Sequence, residues 1–364
     1  MRNTINVLYI TRKFPPQVGG MENFSYYLSE SLKDNEQLNI KTVSLGRNQK
    51  HLIWFFPYVC LYTLINVRKY DILFIGDAVL CFLGIIAKNI SRKTLRIINV
   101  FGLDITFKNV FYQKYLETYY KKCSDKYISI SQGTDDILHK KYGDLDSIVI
   151  TPGIATKNFN HDSSLQKSFR KKYGVLSEDI ILLTVGRLVK RKGVEWFVRN
   201  VMPYFKDKPV KYFVIGDGKC REDVEKAVSQ LEMSKQIFLL GKVEQEVLEE
   251  FYENSDIFIM PNIEVPGDKE GFGIVALESS MFGMIVMASE LEGISDAIIN
   301  GKNGYLLPPG DKKAFVDKIV DFYTNRNKYE SKRKDYAEYT KQHFNWSYIS
   351  ECYVDNMKEM MKKR

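Results

Sequence analysis

The segment Glu270-Gly271-Phe272-Gly273-Ile274-Val275-Ala276-Leu277-Glu278 concentrates groups that could do chemistry. Its glycines suit a loop entering a helix. The amides of Phe272, Gly273 and Ile274 would then stand unbonded at the helix's positive pole, where negative charge is stabilised. Glu270 precedes the turn and can reach a sugar hydroxyl. Glu278 lies two turns along the helix, placed to accept hydrogen bonds from ribose hydroxyls. The apolar run between the two carboxylates predicts a mostly buried helix, and buried glutamates need partners.

A second group is Gly186-Arg187-Leu188-Val189-Lys190-Arg191-Lys192-Gly193. Four cations in one loop repel one another unless an anion sits among them. Arg187 offers a planar fork of donors and Lys192 a point charge, the pair expected on a diphosphate. Two further glycine turns follow strand-like runs. Gly19-Gly20 opens a helix pattern and would let the backbone approach a diphosphate closely. Gly216, in Ile215-Gly216-Asp217-Gly218, closes another strand, but the third glycine of a dinucleotide fingerprint is missing, so hydride transfer is unsupported. The chain contains no Gly-x-x-x-x-Gly-Lys-Ser/Thr loop either.

These groups need a scaffold that ends strands in loops and loops in helices. Short β-branched runs alternating with amphipathic stretches predict parallel sheets covered by helices. The strands expected in the first half are 5–10, 41–45, 72–75, 97–100, 126–130 and 147–150. Those of the second are 180–185, 211–215, 237–240, 257–260, 285–288 and 305–307. The polar stretch Thr151–Leu165, with its Pro152-Gly153 turn signal, reads as the linker. The division expected is an N-terminal domain over 1–165, a C-terminal domain over 166–344, and a last helix over 345–364.

A share of 45% hydrophobic and 27% charged residues supports a well-cored protein and excludes a disordered one. The five cysteines are scattered without metal-ligand spacing, which fits a reducing compartment; a cytoplasmic location is expected. Residues 1–165 hold 21 Lys/Arg against 14 Asp/Glu, so nearly all of the net charge of +8 falls in the first half. An anionic partner is expected there, a phosphate-bearing acceptor or a membrane surface in preference to nucleic acid. The uncharged run Leu52–Val67 is short for a membrane span and contains Pro57. It reads as a buried helix, or as one whose exposed edge touches a bilayer.

Taken together, FPPQVGGME at 14–22, GRLVKRKG at 186–193, LLGKV at 239–243 and EGFGIVALE at 270–278 resemble the retaining GT-B glycosyltransferases of family 4, the glycosyl transferases group 1. Further matching segments, including TPGIATKNF at 151–159 and INGKNGYLLPPGD at 299–311, extend the resemblance over nearly the whole chain. It implies two facing Rossmann-like domains, the N-terminal one acceptor-binding and the C-terminal one nucleotide-sugar-binding, and a C-terminal helix crossing back to the first. It also implies transfer of a sugar from a nucleotide-sugar to a glycan or lipid-linked acceptor, with retention and without a metal or other cofactor. Cell-surface polysaccharide or glycoconjugate biosynthesis is the setting it suggests. Arg187 and Lys192 would stabilise the departing diphosphate, Glu270 would bind the donor sugar and Glu278 the ribose. Lys242 and Val243 would lie at the base.

One departure stands out. Phe101-Gly102-Leu103-Asp104 occupies the place where the family usually has His-Gly-x-Asp. Phe101 and Asp104 are therefore cleft candidates, and a phenyl ring in place of the histidine suggests a 6-deoxyhexosyl as well as a hexosyl donor. A GT-B epimerase or hydrolase and a non-catalytic nucleotide-sugar-binding subunit are the competing readings.

Overall fold

A computed structural model describes residues 4–17, 19–46, 49–156 and 163–363. The chain divides into two compact units, one of Met1–Gly153 with Phe344–Arg364, the other of Ile154–His343.

The first unit runs β1 (Ile5–Thr11), α1 (Gly20–Lys33), β2 (Leu38–Ser44), α2 (Leu52–Asn66), β3 (Ile72–Ile75), α3 (Phe82–Ile90), β4 (Leu95–Val100), α4 (Leu103–Thr106), α5 (Val110–Cys123), β5 (Lys126–Ser129), α6 (Gln132–Tyr142) and β6 (Ser147–Val149). Its strands form a six-stranded sheet in the order β2-β1-β3-β4-β5-β6, with every pairing parallel. Strands buried on both faces read as continuous Val/Ile/Leu runs, and Ile72, Leu73, Phe74 and Ile75 of β3 are all fully buried. One face packs on α2, α3, α5 and α6 through Val59, Leu83, Leu116 and Leu138.

The second unit runs α7 (Ser163–Lys172), β7 (Ile180–Val185), α8 (Val194–Asn200), β8 (Val210–Ile215), α9 (Arg221–Gln230), β9 (Ile237–Gly241), α10 (Gln245–Asn254), β10 (Ile257–Met260), α11 (Ile274–Met281), β11 (Ile285–Ser289), α12 (Ile294–Ala297), β12 (Tyr305–Leu307), α13 (Lys312–Thr324) and α14 (Arg326–His343). Its parallel sheet has the order β12-β11-β10-β7-β8-β9.

The last helix, α15 (Trp346–Lys362), packs into the first unit. Asn345 caps it, its side chain accepting from the Tyr348 amide at 2.8 Å. Ile349, Tyr353 and Met357, spaced at one face of a helix, enter the second apolar layer of that sheet beside Phe24 and Leu28 of α1. The Tyr353 hydroxyl donates to Asn99 Oδ1 at 3.1 Å. Gly153 lets this helix approach closely, because a Cβ there would lie 2.7 Å from the Trp346 ring.

All twelve expected strands are present, with β2 starting at Leu38, earlier than the periodicity suggested. The reading of 52–67 as a buried helix needs correction. Helix α2 continues through Pro57 and buries only Phe55, Val59 and Thr63. A proline in the second turn removes one intrahelical bond, and a helix anchored on one face tolerates that. Among the described residues no helix is long and apolar enough to cross a membrane.

Candidate active site

In an open parallel sheet, ligands sit where the strand order reverses, outside the carboxyl ends of the strands. In the second unit that point lies between β7 and β10. The loop Gly186–Gly193 follows β7 and Pro261-Asn262 follows β10, so the fold places both at one spot.

Backbone packing explains the glycines around this spot. Gly216, at the end of β8, has φ 130°, and a Cβ there would stand 2.0 Å from the Gly186 carbonyl oxygen. Gly193 has φ 66°, and its Cβ would meet the Pro261 carbonyl oxygen at 1.8 Å. The cationic loop is thus clamped between the β8 turn and the β10 turn by main chain rather than by side chains. Gly216 is explained by this close approach.

Within the clamp, Lys192 Nζ reaches Glu270 Oε2 at 2.7 Å, Asn262 Nδ2 donates to the same oxygen at 3.1 Å, and Arg191 Nε lies 3.5 Å from it. Arg191 also pairs with Asp268 at 3.1 Å. Burial pushes the Glu270 carboxyl up, but Lys192, Arg191 and Asn262 together outweigh it and leave its pKa below the ordinary value. Glu270 is therefore a fixed carboxylate. Its own amide donates to Glu292, whose backbone takes φ 49°. Burial raises the Glu292 pKa. Next to it, a Cβ on Gly293 would meet the Gly271 carbonyl oxygen at 2.0 Å, so the 290–293 turn buttresses the Glu270 loop from behind.

Gly273, with φ 85°, is the N-cap of α11. The amides of Phe272, Gly273 and Ile274 have no acceptor among the described residues. Arg187 is exposed and has no ion-pair partner among the described residues, in contrast to Lys192. Glu278, half-buried on α11, accepts from the Tyr252 hydroxyl of α10 at 3.1 Å. Burial, reinforced by that carboxylate, pushes the Tyr252 hydroxyl well above its usual pKa, so it remains a donor. Lys242 is exposed and Val243 half-buried in the turn after β9.

Glu270 and Lys192 thus meet directly, a contact the spacing did not suggest, and Glu270 precedes the free amides in the same loop. Asn262 and Tyr252 were missed. The signal for Asn262 was available, since Pro261-Asn262 closes a predicted strand at its carboxyl end; Tyr252 reads only as a core residue of an amphipathic helix.

In the first unit the order reverses between β1 and β3. Arg12 follows β1 and Asp77 follows β3, and Arg12 Nε lies 3.0 Å from the Asp77 carboxylate. Asp104 accepts from the amides of Ala78 at 3.2 Å and Phe101 at 3.0 Å, tying the loop after β3 to the loop after β4. Burial and then Asp77 push its pKa up to about 7, against those two amides and Arg12. Gly19 caps α1 beside Gly20, but the positive pole is covered from within. A Cβ on Gly19 would lie 2.4 Å from Glu22 Oε2, and Glu22 pairs with Lys13 at 2.9 Å. The Phe101 ring meets Phe24 edge to face at 5.1 Å within the core layer under α1 and α15.

Two doubly wound parallel sheets, each with polar groups gathered at its switch point, are the architecture of the GT-B class. A glycosyltransferase from Rickettsia africae shares this fold with a TM-score of 0.77 at 18% identity, over 100% of both chains. Anabaena Alr3699/HepE in complex with UDP shares it with a TM-score of 0.75 at 16% identity, over 98% of this chain and 100% of the other. Residues 166–343 match the family model of the glycosyl transferases group 1. An uncharacterized glycosyltransferase, MJ1607 of Methanocaldococcus jannaschii, is 24% identical, covering 87% of this chain and 89% of the relative. The capsular polysaccharide biosynthesis glycosyltransferase CapM of Staphylococcus aureus is 26% identical over 65% of this chain and 63% of its own length.

Proposed function

We propose that the chain moves a hexosyl or 6-deoxyhexosyl group from a nucleoside diphosphate sugar to a glycan or lipid-linked acceptor in cell-surface polysaccharide or glycoconjugate biosynthesis. The transfer retains anomeric configuration, needs no metal, and takes place at the cytoplasmic face of the membrane. The second unit binds the donor and the first the acceptor.

The observation that carries this reading is the second unit's switch point. A carboxylate held ionised by Lys192 at 2.7 Å stands there, three free amides follow it in its own loop, and the exposed Arg187 lies in the same loop as Lys192. Glycosyl transfer breaks the bond between the anomeric carbon and the diphosphate oxygen, and negative charge grows on the diphosphate as it leaves. Arg187, Lys192 and the amides of Phe272–Ile274 are preorganised donors for that charge, which removes the electrostatic need for a divalent cation. Glu270 accepts hydrogen bonds from donor-sugar hydroxyls, and Glu278, steadied by Tyr252, accepts from the ribose. The retaining outcome follows from the group 1 resemblance.

The test is incubation with a panel of nucleoside diphosphate sugars and lipid or glycan acceptors, with and without EDTA. Product linkages are then read from anomeric proton couplings. The expected result is a retained linkage formed equally in both conditions. An inverted product, an epimer, free sugar alone or loss of activity with EDTA would each refute a stated part.

A further inference from the structure

The first unit carries an apolar face that its own core leaves uncovered. On α2, Ile53 is 71% and Trp54 76% exposed, and Tyr58, Leu61, Leu64 and Ile65 are more than half open or at half. Trp54, Tyr58, Leu61 and Ile65 fall at intervals of four, three and four, which stacks them in one stripe along the helix. The helix contains no charged residue to interrupt the stripe. A helix on the surface of a soluble domain places polar residues opposite its core face, and this one does the reverse.

We propose that this face docks on an anionic lipid bilayer, with the α2 stripe entering the headgroup–acyl boundary and nearby cations meeting lipid phosphates. Arg68 and Lys69 follow α2 directly, and a shallow depression brings Arg68 together with Arg92 and Lys93 from the turn after α3. All four are exposed, and the acid in that depression, Asp71, is engaged by the Asn6 amide at 2.9 Å. Trp and Tyr in such a stripe suit the headgroup level, where an apolar ring and a polar edge are both satisfied. A second copy of the chain fits less well, since a two-fold interface would bring the same cations of both copies together.

Chain direction adds a consequence. Helix α2 leaves the carboxyl edge of the sheet after β2 and returns to the amino edge before β3, so Trp54 lies toward the edge that carries Arg12, Asp77 and Asp104. Four more exposed apolar residues, Leu103, Phe107, Val110 and Phe111, follow β4 at that same edge. A bilayer held on this face would present a lipid-linked acceptor to the loops after the strands. This last step rests on the proposed glycosyl transfer; docking itself does not.

The experiment uses the full chain and sedimentation with phosphatidylcholine vesicles, with and without phosphatidylglycerol. Wild type is expected to bind the anionic vesicles about tenfold more tightly or better, and to lose that preference as salt rises. Trp54→Ser/Leu61→Ser/Ile65→Ser should weaken binding about tenfold on both vesicle types, with an unchanged melting temperature because these side chains are exposed. Arg68→Glu/Lys93→Glu should abolish only the anionic preference. Equal binding of wild type and the serine variant overturns the proposal. So does a wild-type dimer that the serine variant dissociates without any vesicle uptake. Transfer to a short soluble acceptor, expected unchanged in both variants, separates the two readings: if wild type lacks it while vesicle binding persists, the enzymatic reading fails and the docking surface stands.

Discussion

Lys192 has two readings that differ in what a double variant would do. It could be a ligand for the donor diphosphate, or only the counter-ion of Glu270. At 2.7 Å and an effective dielectric of about 20, their attraction is on the order of 6 kcal/mol before desolvation is subtracted. Both side chains are 12% exposed, so each was largely dehydrated on folding. Removing one partner leaves the other buried, a loss of about 3–5 kcal/mol for a fully buried pair. Arg191 at 3.5 Å and Asn262 at 3.1 Å still face Glu270 when Lys192 is gone, which lowers the expected cost to about 2 kcal/mol. Lys192→Met and Glu270→Gln should therefore each lower stability by about 2 kcal/mol. The double variant should lose little more than either, a coupling of about 2 kcal/mol in a denaturant cycle. Activity should part company with stability. If Lys192 meets the diphosphate, Lys192→Met loses about 100- to 1,000-fold in kcat and the double variant recovers none of it. Recovery of kcat/KM in the double variant would refute the diphosphate role and leave Lys192 as a counter-ion. The pair also sets an acid limit. Glu270's folded pKa lies below its unfolded value, so its contribution to stability is present above the unfolded value and lost as pH falls through the folded one. Lys192→Met should flatten that acid limb.

Arg187→Ala should leave the melting temperature within a degree or so, since the side chain is exposed, while lowering kcat about 100-fold or more; unchanged turnover would remove Arg187 from the site. Gly216→Ala forces a methyl to within 2.0 Å of a backbone oxygen at φ 130°, so it should cost about 2–4 kcal/mol in chemical denaturation and loosen donor binding together. A stable, fully active variant would contradict the clamped-loop geometry. Asp104, with its folded pKa raised from 3.8 to about 7, binds its proton more tightly folded than unfolded. Its contribution to stability therefore falls as pH rises from about 4 to about 7, by at most about 4 kcal/mol. Urea midpoints of wild type and Asp104→Asn should diverge across that window and run parallel above it, and parallel curves throughout would exclude the titration.

The fold was legible because parallel sheets demand what the sequence supplies. Strands buried on both faces show as uninterrupted apolar runs, and each was followed by a turn signal and an amphipathic stretch. Helix α2 was misjudged for a related reason. Composition and periodicity report that a helix is apolar all round, and the usual cause is burial on every side. Sequence alone does not report how many elements surround it. Here the sheet covers one face and α3 flanks it, so half of the apolar surface is left open. In the candidate site, residue type and strand-end position singled out Arg187, Lys192 and Glu270. They did not reveal that Lys192, after β7, and Glu270, after β10, face each other, because that juxtaposition depends on sheet order, which local spacing does not encode; Asn262 meets Glu270 within the same loop after β10.

The two helix N-termini expected to receive phosphate show how far a glycine-rich turn can be trusted. Both α1 and α11 begin at glycines, and both offer unpaired amides at a positive pole. At α1 the pole faces Glu22, whose carboxylate folds back over Gly19 and is neutralised by Lys13 at 2.9 Å. An incoming phosphate there would have to displace a carboxylate already provided with a cation. At α11 the order is inverted. Glu270 is drawn aside by Lys192, Arg191 and Asn262, leaving the amides of Phe272, Gly273 and Ile274 free and the guanidinium of Arg187 open. The α1 pole is overlain by a carboxylate of its own helix while the α11 amides are left open, and this contrast is why the proposed diphosphate contact is placed on the second unit.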